Sequence, residues 1–506
     1  MKICFFLQRR FAYIGHAMAC NIKEFAPETE FCAVVQFRQS LEFIKNQQEI
    51  KYTSILFDED IYSSLFEEKI DLEYLRQIEK EYGIPNLWPY LYIDRVVMNG
   101  QLVREYPFNQ PTLSYEDMQR CLQVNAKAII AFLETEKPDA VVISVVGSVA
   151  STMLYHIAKK KGIQVINIEF ARIGNHIAFS EDDRTFTWVK KRFDEIQGGR
   201  VSKESESAKK FLTEFRDHPA PYDAEHQQEY YGKKGRLTEL KFLYPKRLIK
   251  SIPWHIKTLL GDIRKRKNND YTDIFIWWAL WDKLKRKTRG FVGFSDMYTK
   301  PDFGGRFAYF PLHTEPEIAM MRYAPYYTNQ QELIKAIAHA LPIDMLLYVK
   351  EHPGMVGYRT RAYYKEILKI PNVRLISPNV PGNELSRRAA LTATITSTAG
   401  WEALLCKKPS ITFGDTYYND IPGVERCRGF EELPYLVQKQ LNNWENDDKT
   451  LLNYISALLE DSVAVDFAAM WNEAASFEKI VHDSGMKALS HLLAQKVRSN
   501  KPEHAS

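Results

Sequence analysis

Short apolar runs of strand length alternate with amphipathic stretches at both ends of the chain, and a long charged stretch separates the two halves. "KICFFL" opens the sequence as an apolar run; "FAYIGHAMACNIKEF" follows as a loop through Gly15 and His16 that leads into a helix, and "EFCAVVQF" is a second strand. Further on, "AKAIIAFLETEKPDAVVISVVGSVASTMLYHIAKKKGIQVINIEFARIG" reads as helix, buried strand, Gly/Ser-rich turn, helix and strand. Apolar runs separated by amphipathic helices predict parallel βαβ units. The rhythm stops near Ser180 and returns after Gly305 at "FAYFPLH". A helix over 330–340, the strand "MLLYV", a helix over 363–368, the strand "VRLIS" and the short helix "NELSRRAA" then lead to the buried strand "LTATIT". The predicted fold class is α/β. It places a Rossmann-like domain over 1–180 and a helical insertion or linker over 181–304. A second Rossmann-like domain follows over 305–440, then helices and a frayed tail over 441–506.

Composition changes this picture little, whereas the distribution of charge changes it more. A chain of 506 residues accommodates two or three domains of roughly 150 residues, with no shortage of core. The net charge is +4, yet the segment Lys233 to Lys300 alone carries +12, leaving about −8 for the rest. The same segment holds Trp254, Trp277, Trp278 and Trp281, four of the nine tryptophans. Basic residues interleaved with tryptophan suit an anionic membrane surface, and no nucleic-acid module accompanies them. Cys4, Cys20, Cys32, Cys121, Cys406 and Cys427 form no C-x-x-C pair, which predicts reduced thiols and no zinc site. The start "MKICFFLQRRF" is too short in apolar residues for a signal peptide, and no run reaches the length of a membrane span. The expectation is a cytoplasmic protein, soluble or peripheral at the inner face of the membrane.

Candidate chemistry gathers where strands end. Ser397-Thr398-Ala399-Gly400 follows "LTATIT" and precedes a helix expected near Trp401. Small residues there let backbone N–H groups approach an anion, and a helix start adds the positive end of its dipole. A capping box needs an acidic residue three positions on, and Glu402 lies four after Thr398; a simple Ser/Thr cap stays open as the alternative. In "VKEHPG", Pro353 forces His352 to be extended at the end of a strand, although most His-Pro pairs are turns. "FPLHTEPE" clusters His313, Glu315 and Glu317 at another strand end, either an acid/base group or a solvated loop. In the amino-terminal domain, His16 is a candidate base or a core histidine, and "EFARIG" offers Arg172 to an anion.

Taken in order, "FPLHTEPE", "VKEHPG" and "STAGWEALLCKKPSITFGDTYYN" resemble the bacterial capsule polysaccharide biosynthesis proteins, a family that includes the capsule Kdo transferases; "GIQVINIEFARIG" adds to the likeness. The resemblance implies a GT-B glycosyltransferase, two Rossmann-like domains facing across a cleft, with the donor held mainly by the carboxyl-terminal one. It implies that His352, Ser397 and Thr398 hold the donor phosphate and Glu402 the ribose or base, with Lys350, Pro353, Gly400 and Arg172 in the same binding set. Glu317 is the expected catalytic carboxylate, with Glu315 and His16 beside it. The implied partners are a nucleotide-sugar, of which a CMP-linked sugar is one form, and a polysaccharide or lipid-linked acceptor, with no further cofactor and no metal. A nucleotide-sugar 2-epimerase, a polyol-phosphate transferase and a non-catalytic scaffold of capsule assembly are the competing readings.

Overall fold

Strands form where unbroken apolar runs can be buried on both faces. The structure, a computed structural model, describes residues 1–100, 111, 113–220, 253, 256, 260, 276–471 and 476–499. The amino-terminal half contributes β1 (Lys2–Gln8), β2 (Glu30–Gln36), β3 (Ile55–Phe57), β4 (Ala140–Ile143), β5 (Gln164–Phe170) and β6 (His176–Ser180). The carboxyl-terminal half contributes β7 (Phe307–Pro311), β8 (Leu346–Lys350), β9 (Val373–Ile376), β10 (Leu391–Thr394), β11 (Ser410–Thr412), β12 (Val424–Arg426) and β13 (Ser462–Ala464). Among the described residues they make two sheets, ordered β13-β6-β5-β4-β1-β2-β3 and β12-β11-β10-β7-β8-β9. The second sheet is parallel throughout. In the first, β1 to β5 are parallel, and β6 and β13 are added antiparallel at one edge. This is the expected α/β class, two Rossmann-like sheets with helices between and around them.

Side-chain alternation along β1 divides the first domain into two cores. Ile3, Phe5 and Leu7 face α1 (Phe11–Phe25), while Cys4 and Phe6 face the opposite layer. The sequence reading had Gly15 and His16 in a loop; they lie instead inside α1. A Cβ at Gly15 would stand 2.6 Å from Leu7 Cδ2, so glycine is what lets the helix sit against β1. The last part of the chain does more than fray. Strand β13 joins the first sheet beside β6, and the helix Ser484–Ser499 adds Met486, Leu489 and Leu493 to the core under α1.

The two halves meet through a short helix. Helix α2 (Val149–Lys160) belongs to the first domain, α3 (Ile276–Val292) lies in the linking region, and α4 (Ile318–Tyr323) follows β7. From α4, Arg322 reaches into the first domain and pairs with Asp183 at 2.5 Å, the two side chains 1% and 3% exposed. Its guanidinium also donates to His156 Nε2 at 3.3 Å and lies over the Tyr155 ring. Burial first, then the Arg322 charge, pushes the His156 pKa down to about 3. The imidazole is therefore neutral and able to accept. Ile318, one turn earlier, sits against Gly147, where a Cβ would come within 2.5 Å of it. Asp415 adds a second bridge, accepting from Arg184 of the first domain at 3.0 Å and from Arg426 at 2.5 Å. A further apolar cluster joins Val189, Phe193 and Leu212 of the linking helices to Trp401, Tyr418 and Tyr454.

The Arg322–Asp183 pair gives a direct expectation for stability. Arg322→Met leaves a charged Asp183 buried without its partner and should cost about 3–5 kcal/mol. The double variant Arg322→Met/Asp183→Leu, which removes both charges, should recover most of the loss in urea denaturation. A single variant as stable as the parent would show that the pair does not hold the domains together.

Candidate functional site

In the second sheet, β7 is flanked by β8 on one side and β10 on the other, so the order reverses at β7. In open α/β sheets, ligands bind beyond the carboxyl ends of the strands at such a reversal. The three loops that leave β7, β8 and β10 carry His313 to Glu317, Glu351 to Pro353, and Thr396 to Gly400. Because β7 separates the other two, the His352 and Ser397 loops are two strand spacings apart, about 10 Å.

A buried polar network ties these loops together. The Glu351 carboxylate accepts from Arg359 Nη1 at 2.5 Å, Tyr364 Oη at 2.5 Å and the His352 amide at 2.6 Å. Arg359 also donates to the His313 carbonyl at 2.5 Å and pairs with Glu315 at 3.3 Å. Gln330 accepts from the His313 amide at 2.7 Å and donates to Glu315. His313 Nε2 accepts from the Thr396 amide at 3.2 Å, linking the β7 loop to the β10 loop. Burial first, then the Arg359 charge, pushes the His313 pKa down to about 4. His313 is thus a neutral brace with its proton on Nδ1, and it titrates far below neutral pH. Such networks are fixed only when their members are paired.

The expected phosphate cradle differs from the sequence reading in its helix start and in its amides. Helix α5 (Ala399–Leu405) starts two residues before Trp401, so Gly400 lies inside its first turn. A Cβ on Gly400 would collide with Tyr418 Oη and approach Ser410 Oγ at 2.6 Å. Glycine is needed there for close packing of helix on sheet, not for ligand approach. The amides expected to face an anion are also engaged within the protein: Thr396 with His313, Ser397 with Thr394 Oγ1, Ala399 with Ser397 Oγ, and Gly400 with the Ser397 carbonyl. What the turn presents is its half-buried Ser397 and Thr398 side chains. Thr398 forms no side-chain cap to the helix.

Lys350 and Glu351, adjacent in sequence, face opposite sides of the sheet as strand alternation requires. Glu351 joins the network under Arg359, whereas Lys350 ends β8 opposite Pro311, on the face shared by Tyr348 and Ala399. Lys350 is buried, and burial, partly offset by Glu351 and Glu402, pushes its pKa down to about 8. Glu402 on α5 is therefore within electrostatic reach of Lys350. His352 is exposed and extended at φ −70°, ψ 128°, as a residue before proline must be, and Pro353 opens a single 3₁₀ turn. Its Nδ1 accepts from the Gly354 amide at 3.1 Å, which directs an N–H at Nε2 outward.

Two expected residues of the first domain lie elsewhere. His16 is completely buried, its Nδ1 2.9 Å from Tyr52 Oη and its ring packed against Phe43 and Phe477. This is the core histidine of the two sequence alternatives, and burial lowers its pKa. Arg172 follows β5 with φ +58° and lies over the Phe170 ring at 5.2 Å. Beside it, Glu169 has its pKa pushed up to about 8 by burial, with Arg172 opposing.

The domains enclose a cavity of about 1220 Å³. Its walls are the segment around Trp88 and Tyr92, Lys285 and Arg289 of α3, and Glu315, Arg359 and Tyr363 of the second domain. Of the expected site residues, Glu315 lines it; Ile318, next to Glu317, lines a smaller cavity of about 160 Å³ in the first domain. Glu317, half-buried at the N-cap of α4, follows Pro316 in the wall of the larger cavity and precedes Ile318 in that of the smaller. The sequence reading missed Glu351, Arg359 and Arg322. Arg322 left a signal, a lone cation within "IAMMRYAP"; Arg359 left none, because its partners come from the separate loops after β7 and β8.

Comparison with known proteins adds the following. Protein FixF of Sinorhizobium fredii is 28% identical over 168 residues, 32% of this chain and 39% of that protein. The chain thus matches less than half the length of this curated relative. Among solved structures, the Thermosulfurimonas dismutans KpsC beta Kdo 2,7 transferase is 11% identical, covering 73% of this chain and 89% of that one at a TM-score of 0.37. The UDP-GlcNAc 2-epimerase from Neisseria meningitidis is 14% identical, covering 99% and 100% at a TM-score of 0.27. The family model described as "Capsule polysaccharide biosynthesis protein" matches residues 305–439, the span of β7 to β12 and the loops just described. Over this second domain, the chain is similar to the capsule polysaccharide biosynthesis family.

Proposed function

We propose that the protein is a glycosyltransferase that moves a sugar from a nucleotide-sugar donor to a growing surface polysaccharide or a lipid-linked acceptor. The observation that carries this reading is the convergence of the β7, β8 and β10 loops at the strand reversal of the family-matched domain, whose Glu315 and Arg359 line a cavity shared with the first domain. Sugar transfer needs stabilisation of a leaving phosphate and a group that takes the proton of the acceptor hydroxyl. Protonated Lys350, the outward N–H of His352 and the hydroxyls of Ser397 and Thr398 supply the first. Glu402 keeps Lys350 charged in its buried position and reaches toward the ribose. Glu317, between the two cavities, takes the proton, while Glu315 is held by Gln330 and Arg359 at the wall of the larger one.

The acceptor enters through the larger cavity, whose aromatic and cationic walls suit a glycan carrying charge. We further propose that the basic linking region brings the enzyme to an anionic inner-membrane surface. Most of that region, including Trp254, lies outside the described residues. Within the described part, Ile256, Leu260, Trp281 and Leu284 are exposed, the last two on α3 among Lys283, Lys285 and Lys287. Among the described residues no helix is long and apolar enough to cross a membrane. An epimerase would need no acceptor and no such surface.

Calorimetry with CMP, CDP, UDP and GDP should identify one preferred nucleotide. Ser397→Ala/Thr398→Ala should weaken its binding by roughly 1.5–3 kcal/mol for each lost hydrogen bond to a charged group, without unfolding the protein. Unchanged affinity in that double variant removes the phosphate assignment.

Nucleotide affinity should also depend on pH with a defined sign. Lys350, with its pKa near 8, is charged at pH 7 and loses its charge as pH rises. Affinity should therefore fall between about pH 8 and 10, by up to about tenfold per unit if only the charged form binds. Lys350→Met should bind weakly at all pH values and lose this dependence.

Glu317→Gln should lower turnover by about 100-fold or more with donor affinity nearly unchanged, measured as sugar released from the donor onto an acceptor glycan. Full activity in this variant assigns the proton transfer to another group.

A further inference from the structure

A third cavity, of about 200 Å³, lies on the outer side of the first domain, between the helix Leu72–Tyr82 and the helix Tyr115–Glu136. Its floor is apolar, with Leu75, Leu87, Leu91 and Met118 drawn from the core beneath. Leu72, Trp88 and Tyr115 stand exposed at its rim, the two aromatic rings 6.0 Å apart. Large apolar side chains gathered in water in this way mark a contact surface. The volume is below the roughly 300 Å³ of the smallest drug-sized sites and suits one bulky side chain. Glu73 follows Leu72 and Glu116 follows Tyr115, both exposed, so the rim is acidic, with Arg76 its one lining cation.

The complementary shape is on the same molecule. On α3, Trp281, Leu284 and Phe291 are exposed, and with Thr288 they fall at i, i+3, i+7 and i+10, a single stripe along the helix. Lys283 and Lys287 run beside it. The opposite face of α3 is fixed to the protein: Asp282 is buried and accepts from Arg286 at 2.7 Å, and Arg289 donates to the Gly357 and Tyr358 carbonyls. The stripe is therefore presented outward on a held helix and cannot turn in to cover the groove of its own chain. Groove and stripe flank one opening, because Trp88 is in one wall of the large cavity and Lys285 and Arg289 are in another.

We propose that the groove receives a second copy of this chain, the α3 stripe of each copy lying in the groove of the other with Trp281 as the anchor. A helix laid in a groove through side chains at i, i+3 and i+7 is a common mode of recognition. A large aromatic filling a pocket supplies most of the affinity of such a contact, and the basic flank of α3 meets the acidic rim to set its direction. Exchange in both directions makes the contact twice and closes the pair about a two-fold axis. Since Trp88 is shared by the groove and the large cavity, the partner's helix stands at the cavity's edge. The pairing does not depend on the transferase reading, and it leaves Ile256 and Leu260 of the basic region free of the contact.

Sedimentation velocity of the full chain over a range of concentrations tests this. A monomer–dimer equilibrium is expected, weakening as salt is raised. Trp281→Ala/Leu284→Ala and, on the groove side, Leu72→Glu should each weaken association by about 30-fold or more, as loss of a central anchor does. Lys283→Glu/Lys287→Glu and Glu73→Lys/Glu116→Lys should each weaken it too, and all four changes in one chain should restore it. That rescue distinguishes a lost contact from a lost fold. A monomer at every concentration, assemblies growing beyond the dimer, undiminished association in Trp281→Ala/Leu284→Ala, or no rescue in the fourfold variant would overturn the proposal. A chain that stays monomeric and loses binding to phosphatidylglycerol vesicles in Trp281→Ala/Leu284→Ala would assign the stripe to the membrane instead.

Discussion

A buried guanidinium decides how this molecule is put together. Arg322 leaves the second domain, crosses the interface and ends among Asp183, His156 and Tyr155 of the first. A charge so deeply placed is tolerable only with a matching carboxylate and further acceptors, and the first domain supplies both. Because Arg322 sits on a helix of six residues that begins just after Glu317, fixing it also fixes Glu315 to Ile318. That segment runs from the wall of the large cavity to the wall of the small one. The interface and the candidate chemistry therefore share one structural element.

The second constraint is the Glu351–Arg359 network. Three loops leave the sheet at separate points, and each alone would be a flexible surface turn. Glu351 and Arg359 engage the backbone of the β7 and β8 loops directly, and His313 relays the connection to Thr396. The network occupies one side of the sheet, leaving Lys350 on the other, where burial holds it near its titration point. The structure thus sets a rigid brace on one face of the sheet and a single titratable cation on the other. The match to the capsule polysaccharide biosynthesis family model covers this same stretch of chain.

The sequence by itself determined the α/β class and most strands, because an apolar run of four to seven residues has few places to go other than a doubly covered sheet. It also determined the extended geometry of His352, since proline restricts its predecessor locally. It placed the candidate residues of the second domain at strand ends, because strand ends are marked by composition. What it could not determine was which side chains those loops consume internally. Gly400 and the amides around Ser397 looked like a ligand cradle, and Tyr418, Ser410, His313 and Thr394 turned out to occupy them. His16 stood open in the sequence as a base or a core histidine, and α1 draws it into the core beside Tyr52. The partners of Arg322 lie 139 and 166 residues away and those of Arg359 8 to 46, beyond the reach of any local pattern. Burial, pairing and the pKa shifts they cause are properties of the packed sheets, and only the tertiary structure could decide them.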